Sequence, residues 1–471
     1  MLLSKPLSKP LSKLLRPVKL PSSIAWASCR ASSTSVTSST SSNTPEVLPL
    51  ISPHSIYVWG SSSNSRLPTV PSSSTLLSPR KIPISAVNED LGLDDSWSLK
   101  HFRVGKGDNT GFVFAKNSGT EDEINRTFIY GDDKYNPSRE ITEYPPSPTS
   151  DPSKTSSITS DFLVDDLVLG PKSFGLIARS KADSSQSALS WGYGGDALNG
   201  YGQLGLGPSV QTDGQYNVTL PSPITSLTED FTPLTQWQIA SSHTVGLSSS
   251  SNEVLTAGSG QFGRLGNIDA IDQLYFEPVE MLSTLPSISW TQVSAGHAFT
   301  LALASDGTVH GWGKNEANQL GLGGGLSMDV YNMENAPNSI EFFEINDIHV
   351  AQVACGYNHA AALDVEGNVY VWGGKSGFLS PELVTNMEEK ATWVGCGHNF
   401  TVVAAESNAL YTFSHGGSSG GVKLGCLGHG SASGDRTPRE VVSLDESLIE
   451  GKVVDVQVGW TGVGVVVGEE E

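Results

Sequence analysis

The chain has 471 residues, of which 50 are glycine, ten are tryptophan and only 16% are charged, and its formal net charge is −21. This composition is typical of a turn-dense β protein with a large apolar core, and it argues against a helical protein. The negative charge disfavours contact with a phosphate backbone, so we expect no direct DNA binding. No run of about 18 apolar residues occurs, so we expect no membrane span.

The cysteines are few and widely spaced. They stand at positions 29, 355, 396 and 426, and none belongs to a Cys-x-x-Cys pair. Such spacing suits neither a disulfide scaffold nor a structural zinc site, and it fits a compartment in which thiols stay free. We therefore expect no metal and no cofactor.

The first 45 residues contain six basic residues and no acidic residue, and they include the run ASSTSVTSSTSS. This profile predicts an organelle transit peptide over residues 1–30, followed by a Ser/Thr-rich linker over residues 31–50. The alternation of leucine with lysine and arginine favours the mitochondrion, either in the matrix or associated with the inner membrane. Four prolines disfavour an amphipathic helix, so a plastid is the alternative. A disordered basic tail is the other interpretation.

A half-repeat, in which a small residue and a glycine precede alternating apolar residues, occurs seven times. The copies lie at 104–115, 167–180, 239–260, 293–307, 353–374, 394–413 and 456–468. In HAFTLALAS, Phe299, Leu301 and Leu303 alternate with small or polar residues, which predicts a strand. Asp306-Gly307 then marks a tight hairpin, since glycine accepts the backbone angles required.

A second half-repeat, an apolar pair followed by an aromatic residue or alanine and then, in most copies, glycine, also occurs seven times, from IYVWG (56–60) to LYTFSHGG (410–417). Where tryptophan stands there, its ring can fill the wedge between neighbouring sheets. The two half-repeats together provide the structural signature. It comprises Trp59, Gly60, Gly131, Trp191, Gly192, Gly258, Gly296, Trp312, Gly313, Gly356, His359, Trp372, Gly373, Gly397 and Gly459.

The order of the half-repeats predicts how the fold closes. The repeat region begins with a second half, IYVWG, and ends with a first half, VQVGWTGVGVVVG. These fragments complement each other, so one blade is expected to contain strands from both ends. The predicted fold is an all-β, seven-bladed β-propeller over residues 51–469, closed by pairing of the N- and C-terminal strands. Closure removes the exposed sheet edges.

These repeats resemble the regulator-of-chromosome-condensation repeat family, most clearly in GYGQLGLG, GWGKNEANQLGLG and CGYNHAAAL between residues 188 and 374. With its basic leader, the chain is most similar to mitochondrial members of that family. The resemblance implies a non-catalytic scaffold that binds a protein or ribonucleoprotein complex. The implied role is in mitochondrial ribosome biogenesis or respiratory-complex assembly. The alternative that it implies is a guanine-nucleotide exchange factor for a small GTPase.

Other motifs have plainer interpretations. GSGQFG (258–263) and GGKS (373–376) lack the context of a nucleotide-binding loop and are interpreted as repeat glycines and a loop. Cys355 and Cys396 precede repeat glycines, which predicts small buried side chains near the axis. His297, His398 and Asn358 could ring the central opening, as ligand-binding or as structural residues. No nucleophile triad, paired carboxylates or metal cluster is evident, so we expect no catalytic residue.

The segment 132–160 is rich in proline and serine and poor in apolar residues. It predicts a disordered loop, and long loops on a rigid scaffold commonly bind partners. The candidate partner-binding residues are Tyr135, Arg139, Glu140 and Tyr144. An insertion without function is the equal alternative.

Overall fold

The structure is a computed structural model. It describes residues 51–61, 75–107, 109–117, 123–131, 140–141, 143–144, 156–157, 161–196, 198–207, 215–224, 234–249, 251–285, 288–323, 333–374, 378–415, 425–431, 434–441 and 451–470. The predicted transit peptide and linker lie outside these residues. So does most of the segment 132–160.

The described strands form seven antiparallel blades, as predicted, and one further two-stranded sheet. We number the blades in chain order by their first strand and give the strands from the axis outward. Blade 1 contains Ser98–Val104, Thr110–Asn117, Glu123–Tyr130 and Glu140–Ile141. Blade 2 contains Phe162–Leu169, Ser173–Ser180, Gln186–Asp196 and Gln215–Pro223, with the short Gly200–Tyr201 beside its third strand. Blade 3 contains Leu234–Ile239, His243–Ser248, Val254–Gly258 and Gln273–Pro278.

The remaining blades follow the same order. Blade 4 contains Trp290–Ala295, Phe299–Ala304, Val309–Lys314 and Met333–Ser339. Blade 5 contains Val350–Cys355, His359–Asp364, Val369–Gly373 and Glu382–Leu383. Blade 6 contains Ala391–Cys396, Phe400–Ala405, Leu410–Ser414 and Arg439–Glu440. Blade 7 contains Lys452–Val458, Gly462–Glu470, Ile51–Ser61 and Thr75–Pro83.

Blade 7 confirms the predicted closure of the ring. Its second strand comes from the C-terminal end of the repeat region and pairs with the third strand, which comes from the N-terminal end. Tyr57 lies opposite Val465, and Trp59 lies opposite Val463. The ladder runs from Ile51 to Gly60, so both ends of the repeat region are held in one sheet.

Short helices and one additional hairpin occur between the blade strands. The helices are Ile84–Leu91, Glu280–Ser283 and Glu341–Ile345, and a 3₁₀ turn covers Gln261–Gly263. The hairpin pairs Glu143–Tyr144 with Ser156–Ser157. Among the described residues, no helix has the length and hydropathy needed to cross a bilayer.

The four signature tryptophans are buried between blades. Trp191 packs in the cluster that holds Ile129 of blade 1, and Trp312 packs with Val245 of blade 3. The indole Nε1 of Trp312 also donates to Arg264 O at 3.1 Å. Equivalent bonds join Trp372 to Gln319 O at 2.9 Å and Trp59 to Cys426 O at 2.8 Å. Each of these indoles therefore contributes apolar area and a hydrogen bond to the preceding blade.

The signature glycines satisfy two different steric requirements. At the ends of third strands, Gly60, Gly192, Gly258, Gly313 and Gly373 have positive φ, whereas Gly131 is extended. A Cβ at Gly313 would lie 2.6 Å from Ala298 O. At the axis the requirement is close approach between blades. A Cβ at Gly356 would lie 2.5 Å from Gly397 O, and one at Gly459 would lie 2.2 Å from Gly105 O. Side chains there would force the blades apart.

The antiparallel order gives the ring two distinct faces. Connections from first to second and from third to fourth strands lie on one face, which also carries the axial repeat glycines. We call it the glycine face. Hairpins between second and third strands lie on the other, which we call the hairpin face.

Candidate functional site at the propeller axis

The first strands of all seven blades surround one cavity of about 240 Å³. Amide and thiol groups contribute much of its wall. The amide residues are Gln236, Gln238, Gln292, Gln352 and Gln457, and the thiols are Cys355 and Cys396. These cysteines are buried and unbridged, as expected for small side chains near the axis.

Glutamine side chains form hydrogen bonds with the first strand of the next blade at the junctions of blades 3 and 4, 4 and 5, and 5 and 6. Gln236 accepts a hydrogen bond from Val293 N at 3.0 Å and donates to Thr291 O at 2.8 Å. Gln352 accepts from Val394 N and donates to Val394 O, both at 3.0 Å. An unpaired buried backbone group costs about 1–3 kcal/mol, so Gln236 and Gln352 stabilise the contacts between adjacent blades by pairing such groups.

Arg103 links three blades inside the channel. Its guanidinium donates to Asp166 of blade 2 at 3.0 and 2.7 Å and to Asp455 of blade 7 at 3.2 Å. Burial lowers the pKa of Arg103, but the two carboxylates more than offset this and leave it above its ordinary value. Burial also raises the pKa of Asp455. The three side chains therefore depend on one another for charge compensation.

Replacing Arg103 by methionine is expected to lower the free energy of unfolding by about 3–5 kcal/mol, because two carboxylates lose their shared cation inside the ring. Urea unfolding measures the change. The control is Arg179→Met, whose ion pair with Asp165 lies nearer the solvent and is expected to contribute less than about 1 kcal/mol. Equal losses in the two variants would contradict this interpretation of Arg103.

Seven equivalent residues stand where the first strands reach the glycine face. They are Lys106, Pro171, Ser241, His297, Tyr357, His398 and Trp460. We call the last four the axial cluster. His297 and Tyr357 stack with ring centroids 4.2 Å apart, and Tyr357 lies 4.4 Å from His398. Trp460 of blade 7 crosses to within 5.8 Å of His297 of blade 4. The cluster therefore joins four blades over the axis.

Lys106 spans the channel beside this cluster. Its Nζ donates to Gln238 Oε1 of blade 3 at 3.3 Å and to Ala295 O of blade 4. Burial lowers the pKa of this lysine to about 8. It adds a cross-ring polar contact to the aromatic contacts of the axial cluster.

Two of the axial groups, His297 and Cys355, are poorly suited to acid–base or nucleophilic chemistry at neutral pH. Ser241 Oγ lies 2.6 Å from His297 Nδ1, but burial, together with Arg264 and Lys314, lowers the pKa of His297 to about 4. Burial raises the pKa of Cys355 to about 12, so its thiol stays protonated. Over the described ranges, no three His, Cys, Asp or Glu side chains are placed to hold a metal ion.

The motif histidines His243 and His359 form buried hydrogen bonds between blades, and His415 forms one within blade 6. His243 Nε2 lies 3.0 Å from Thr300 Oγ1. His359 Nε2 and His415 Nε2 lie 3.3 and 2.7 Å from the single Thr401 hydroxyl. That hydroxyl has one proton, so only one of the two nitrogens can accept from it while the other donates. Burial lowers the pKa of all three histidines.

The structure separates the predicted partner-binding residues. Tyr135 and Arg139 lie outside the described residues. Glu140 belongs to the fourth strand of blade 1, where it accepts two hydrogen bonds from Arg126 at 2.6 and 2.7 Å. Tyr144 lies in the short hairpin strand Glu143–Tyr144. The two-residue strand Glu140–Ile141 is thus part of a blade and not of a free loop, and partner binding by this segment stays a prediction.

Sequence reasoning placed His297 and His398 near the central opening but did not identify their neighbours. Tyr357, and not Asn358, completes the aromatic stack with them. The inner-strand glutamines were also missed. Their signal was the recurrence of glutamine at corresponding positions in LTQWQ, WTQVS and VAQVA. No comparable signal links Arg103 to Asp166 and Asp455.

Comparison with sequence families supports the same repeat. Residues 251–303 and 306–363 match the regulator of chromosome condensation (RCC1) repeat, and residues 290–319 match a second model of that description. The chain is 32% identical over 317 residues to the Ultraviolet-B receptor UVR8 of Arabidopsis thaliana, covering 64% of each chain. It is 35% identical over 164 residues to the Probable E3 ubiquitin-protein ligase HERC3 of Homo sapiens, covering 32% of this chain and 14% of that protein. The matches span less than two thirds of either relative.

Solved structures share the architecture at low sequence identity. Human WBSCR16 aligns with a TM-score of 0.62 and 18% identity, over 88% of this chain and 99% of that chain. Prp20p from Saccharomyces cerevisiae aligns with a TM-score of 0.65 and 15% identity, over 90% of this chain and 93% of that chain. At these identities the likeness shows the fold alone. The chain thus contains matches to the regulator of chromosome condensation (RCC1) repeat at residues 251–303 and 306–363, and it folds as a closed seven-bladed propeller.

Proposed function

We propose that this chain is a non-catalytic mitochondrial scaffold that supports mitochondrial ribosome biogenesis or respiratory-complex assembly by binding a protein or ribonucleoprotein complex. The observation that carries the binding role is the state of the axial groups. Burial lowers the pKa of His297 to about 4 and raises the pKa of Cys355 to about 12, and Lys106 is engaged across the channel. The axis therefore stabilises the ring, and the loops on a rigid ring are available for recognition.

The relatives support a binding role and do not share one chemical activity. Similar repeats occur in an ultraviolet-B receptor and in a probable ubiquitin-protein ligase. The matching segment makes up 14% of the length of that ligase. One fold commonly serves several functions through different surface sites. A recognition module is the role common to such different proteins.

The mitochondrial part of the proposal rests on the basic leader. The leader contains six of the 28 basic residues of the chain, so the rest of the chain has 22 basic and 49 acidic residues. This charge separation between leader and body is typical of an imported protein.

Residues 1–50 fused to a fluorescent reporter are expected to direct the reporter to mitochondria. Replacing the six basic residues with glutamine is expected to leave it in the cytosol, because import depends on positive charge. Microscopy with a mitochondrial marker measures the distribution, and the same fusion in plant cells tests the plastid alternative. An unchanged distribution after neutralisation would contradict an import signal.

The full chain tests the scaffold role directly. Sedimentation of a mitochondrial lysate should place it with ribosomal particles, or native electrophoresis should place it with a respiratory-complex intermediate. The alternative is nucleotide exchange, suggested by the fold likeness to Prp20p, whose structure was reported with binding to Gsp1p and histones. Migration as a free monomer, combined with faster nucleotide release from an organellar GTPase, would replace the scaffold proposal.

A further inference from the structure

Three strongly exposed aliphatic side chains lie in two neighbouring loops of the glycine face. They are Leu198, Ile268 and Ile271, with 84%, 66% and 66% of their surface exposed. We call them the loop patch. Leu198 lies beyond the third strand of blade 2, and the two isoleucines lie between the third and fourth strands of blade 3. Clustered exposed aliphatic residues are a common mark of a protein-binding surface.

Hydrogen bonds hold the two loops together. Gln261 Nε2 donates to Leu198 O at 3.1 Å. The Asp272 carboxylate accepts from Tyr201 N of blade 2 and from Gly260 N of blade 3, both at 2.9 Å. The loop patch is thus presented by a joined pair of loops, which lowers the entropy lost when a partner binds.

The blade 3 loop contains two unusual backbone conformations. Phe262 has a φ of +62° and Ala270 a φ of +49°, although most other non-glycine residues with positive φ in the described chain are asparagine or aspartate. Such conformations cost about 1–3 kcal/mol and persist where surrounding contacts hold them, often at functional sites. Contacts hold Phe262, since Arg264 and Lys314 lie 5.3 and 4.8 Å from its ring centroid. Ala270 closes a turn by donating to Asn267 O at 2.9 Å.

Carboxylates frame the loop patch. Asp196 precedes Leu198, Asp269 lies between the two isoleucines, and Asp272 follows Ile271. A hydrogen bond from Tyr193 is the largest cause that lowers the pKa of Asp196 to about 2. The nearby cations do not reverse this charge, because Arg264 offsets only Asp272 and Lys314 pairs with Glu316 at 2.9 Å, which leaves Asp196 and Asp269 uncompensated by these two cations. A complementary partner is therefore basic as well as apolar.

We propose that the loop patch docks a basic segment of a protein partner, with aliphatic side chains packed on Leu198, Ile268 and Ile271 and lysine or arginine placed against Asp196, Asp269 and Asp272. This inference rests on the proposed scaffold function and assigns it a surface and a class of partner. It places the contact on blades 2 and 3, away from the segment 132–160.

The test uses the full chain and two synthetic amphipathic peptides. One peptide contains leucine and lysine, and the other has glutamate in place of each lysine. Fluorescence anisotropy measures their binding to the wild type, to Ile268→Ser/Ile271→Ser and to Ile345→Ser. The last variant is a matched control, because Ile345 is 76% exposed and lies at the end of a short helix between blades 4 and 5, on the hairpin face. Near-ultraviolet circular dichroism checks that each variant is folded.

The lysine peptide is expected to bind the wild type and Ile345→Ser alike, and to bind the double variant about tenfold or more weakly, as for loss of central apolar anchors. The glutamate peptide is expected to bind none of them. Equal affinity for the wild type and the double variant would overturn the proposal, as would equal binding of both peptides. Self-association of the wild type that the double variant loses would instead assign the patch to a second copy of this chain.

A further measurement separates this inference from the proposed function. The wild type and both variants are expressed in cells, and their sedimentation with ribosomal or respiratory particles is compared. If the double variant co-sediments as well as the wild type, the loop patch is overturned and the scaffold function stands. Failure of the wild type to co-sediment, with patch-dependent peptide binding intact, would overturn the mitochondrial role and leave the basic-segment site standing.

Discussion

Replacing Val465 by aspartate is expected to lower the free energy of unfolding by more than about 4 kcal/mol, because a carboxylate would enter an apolar cluster without a partner. Val465 has no solvent exposure and lies in the second strand of blade 7, opposite Tyr57. Its cluster contains Phe400 and Val402 of blade 6. The substitution therefore weakens both the closing ladder and the packing of blade 7 on blade 6.

The matched control for this variant is Val365→Asp, the same change at an exposed hairpin residue of blade 5. Surface substitutions of this kind usually change stability by less than about 0.5 kcal/mol. Urea unfolding followed by tryptophan fluorescence measures both variants, and limited proteolysis reports whether blade 7 opens first. A urea midpoint of Val465→Asp equal to that of Val365→Asp would contradict the assignment of blade 7 as the closing sheet.

Acidification from pH 7 to pH 5 is expected to lower the free energy of unfolding by at least about 5 kcal/mol, which is the contribution of three fully buried histidines. Burial lowers the pKa of His415 to about 3 and the pKa values of His243 and His359 well below 6.5. Below the ordinary value of about 6.5, the unfolded chain therefore binds more protons than the folded chain. The stabilisation is complete above that pH and is lost as the pH falls.

Urea unfolding at several pH values measures this slope. His415→Gln is expected to reduce the loss between pH 7 and pH 5 by about 2 kcal/mol, the share of one linked proton. His349→Gln changes an exposed histidine and is the control for the substitution itself. Stability that is constant between pH 7 and pH 5 would show that the three imidazoles are accessible to protons in the folded chain.

The architecture could be predicted because its signals are local and recur. The two terminal fragments, IYVWG and VQVGWTGVGVVVG, each correspond to half of a blade. Their order along the chain predicted a closing sheet made from both ends. Trp312 and Gly313 could likewise be assigned structural roles, because a wedge between blades needs a large ring and the strand end needs positive φ. Period-two alternation and glycine placement depend on neighbours in sequence.

The contacts at the axis could not be predicted, because they join residues far apart in the chain. Arg103 and Asp455 are 352 positions apart, and Trp460 meets His297 across the ring. The sequence shows which side chains are polar or aromatic, but it does not show which residue of another blade contacts each of them. The pKa values of His297 and Lys106 depend on that burial and were equally inaccessible.

The amino-acid sequence by itself determined the number of blades, the closing sheet and the residues that separate neighbouring blades, since each follows from a repeat of apolar, glycine and tryptophan positions. Only the tertiary structure decided which polar side chains meet at the axis and which loops lie side by side. Gln261 reaches Leu198 and Asp272 bridges two blades only after the sheets are packed. The physical reason is that strand formation depends on short-range order, whereas charge compensation and surface patches depend on the distances that packing creates.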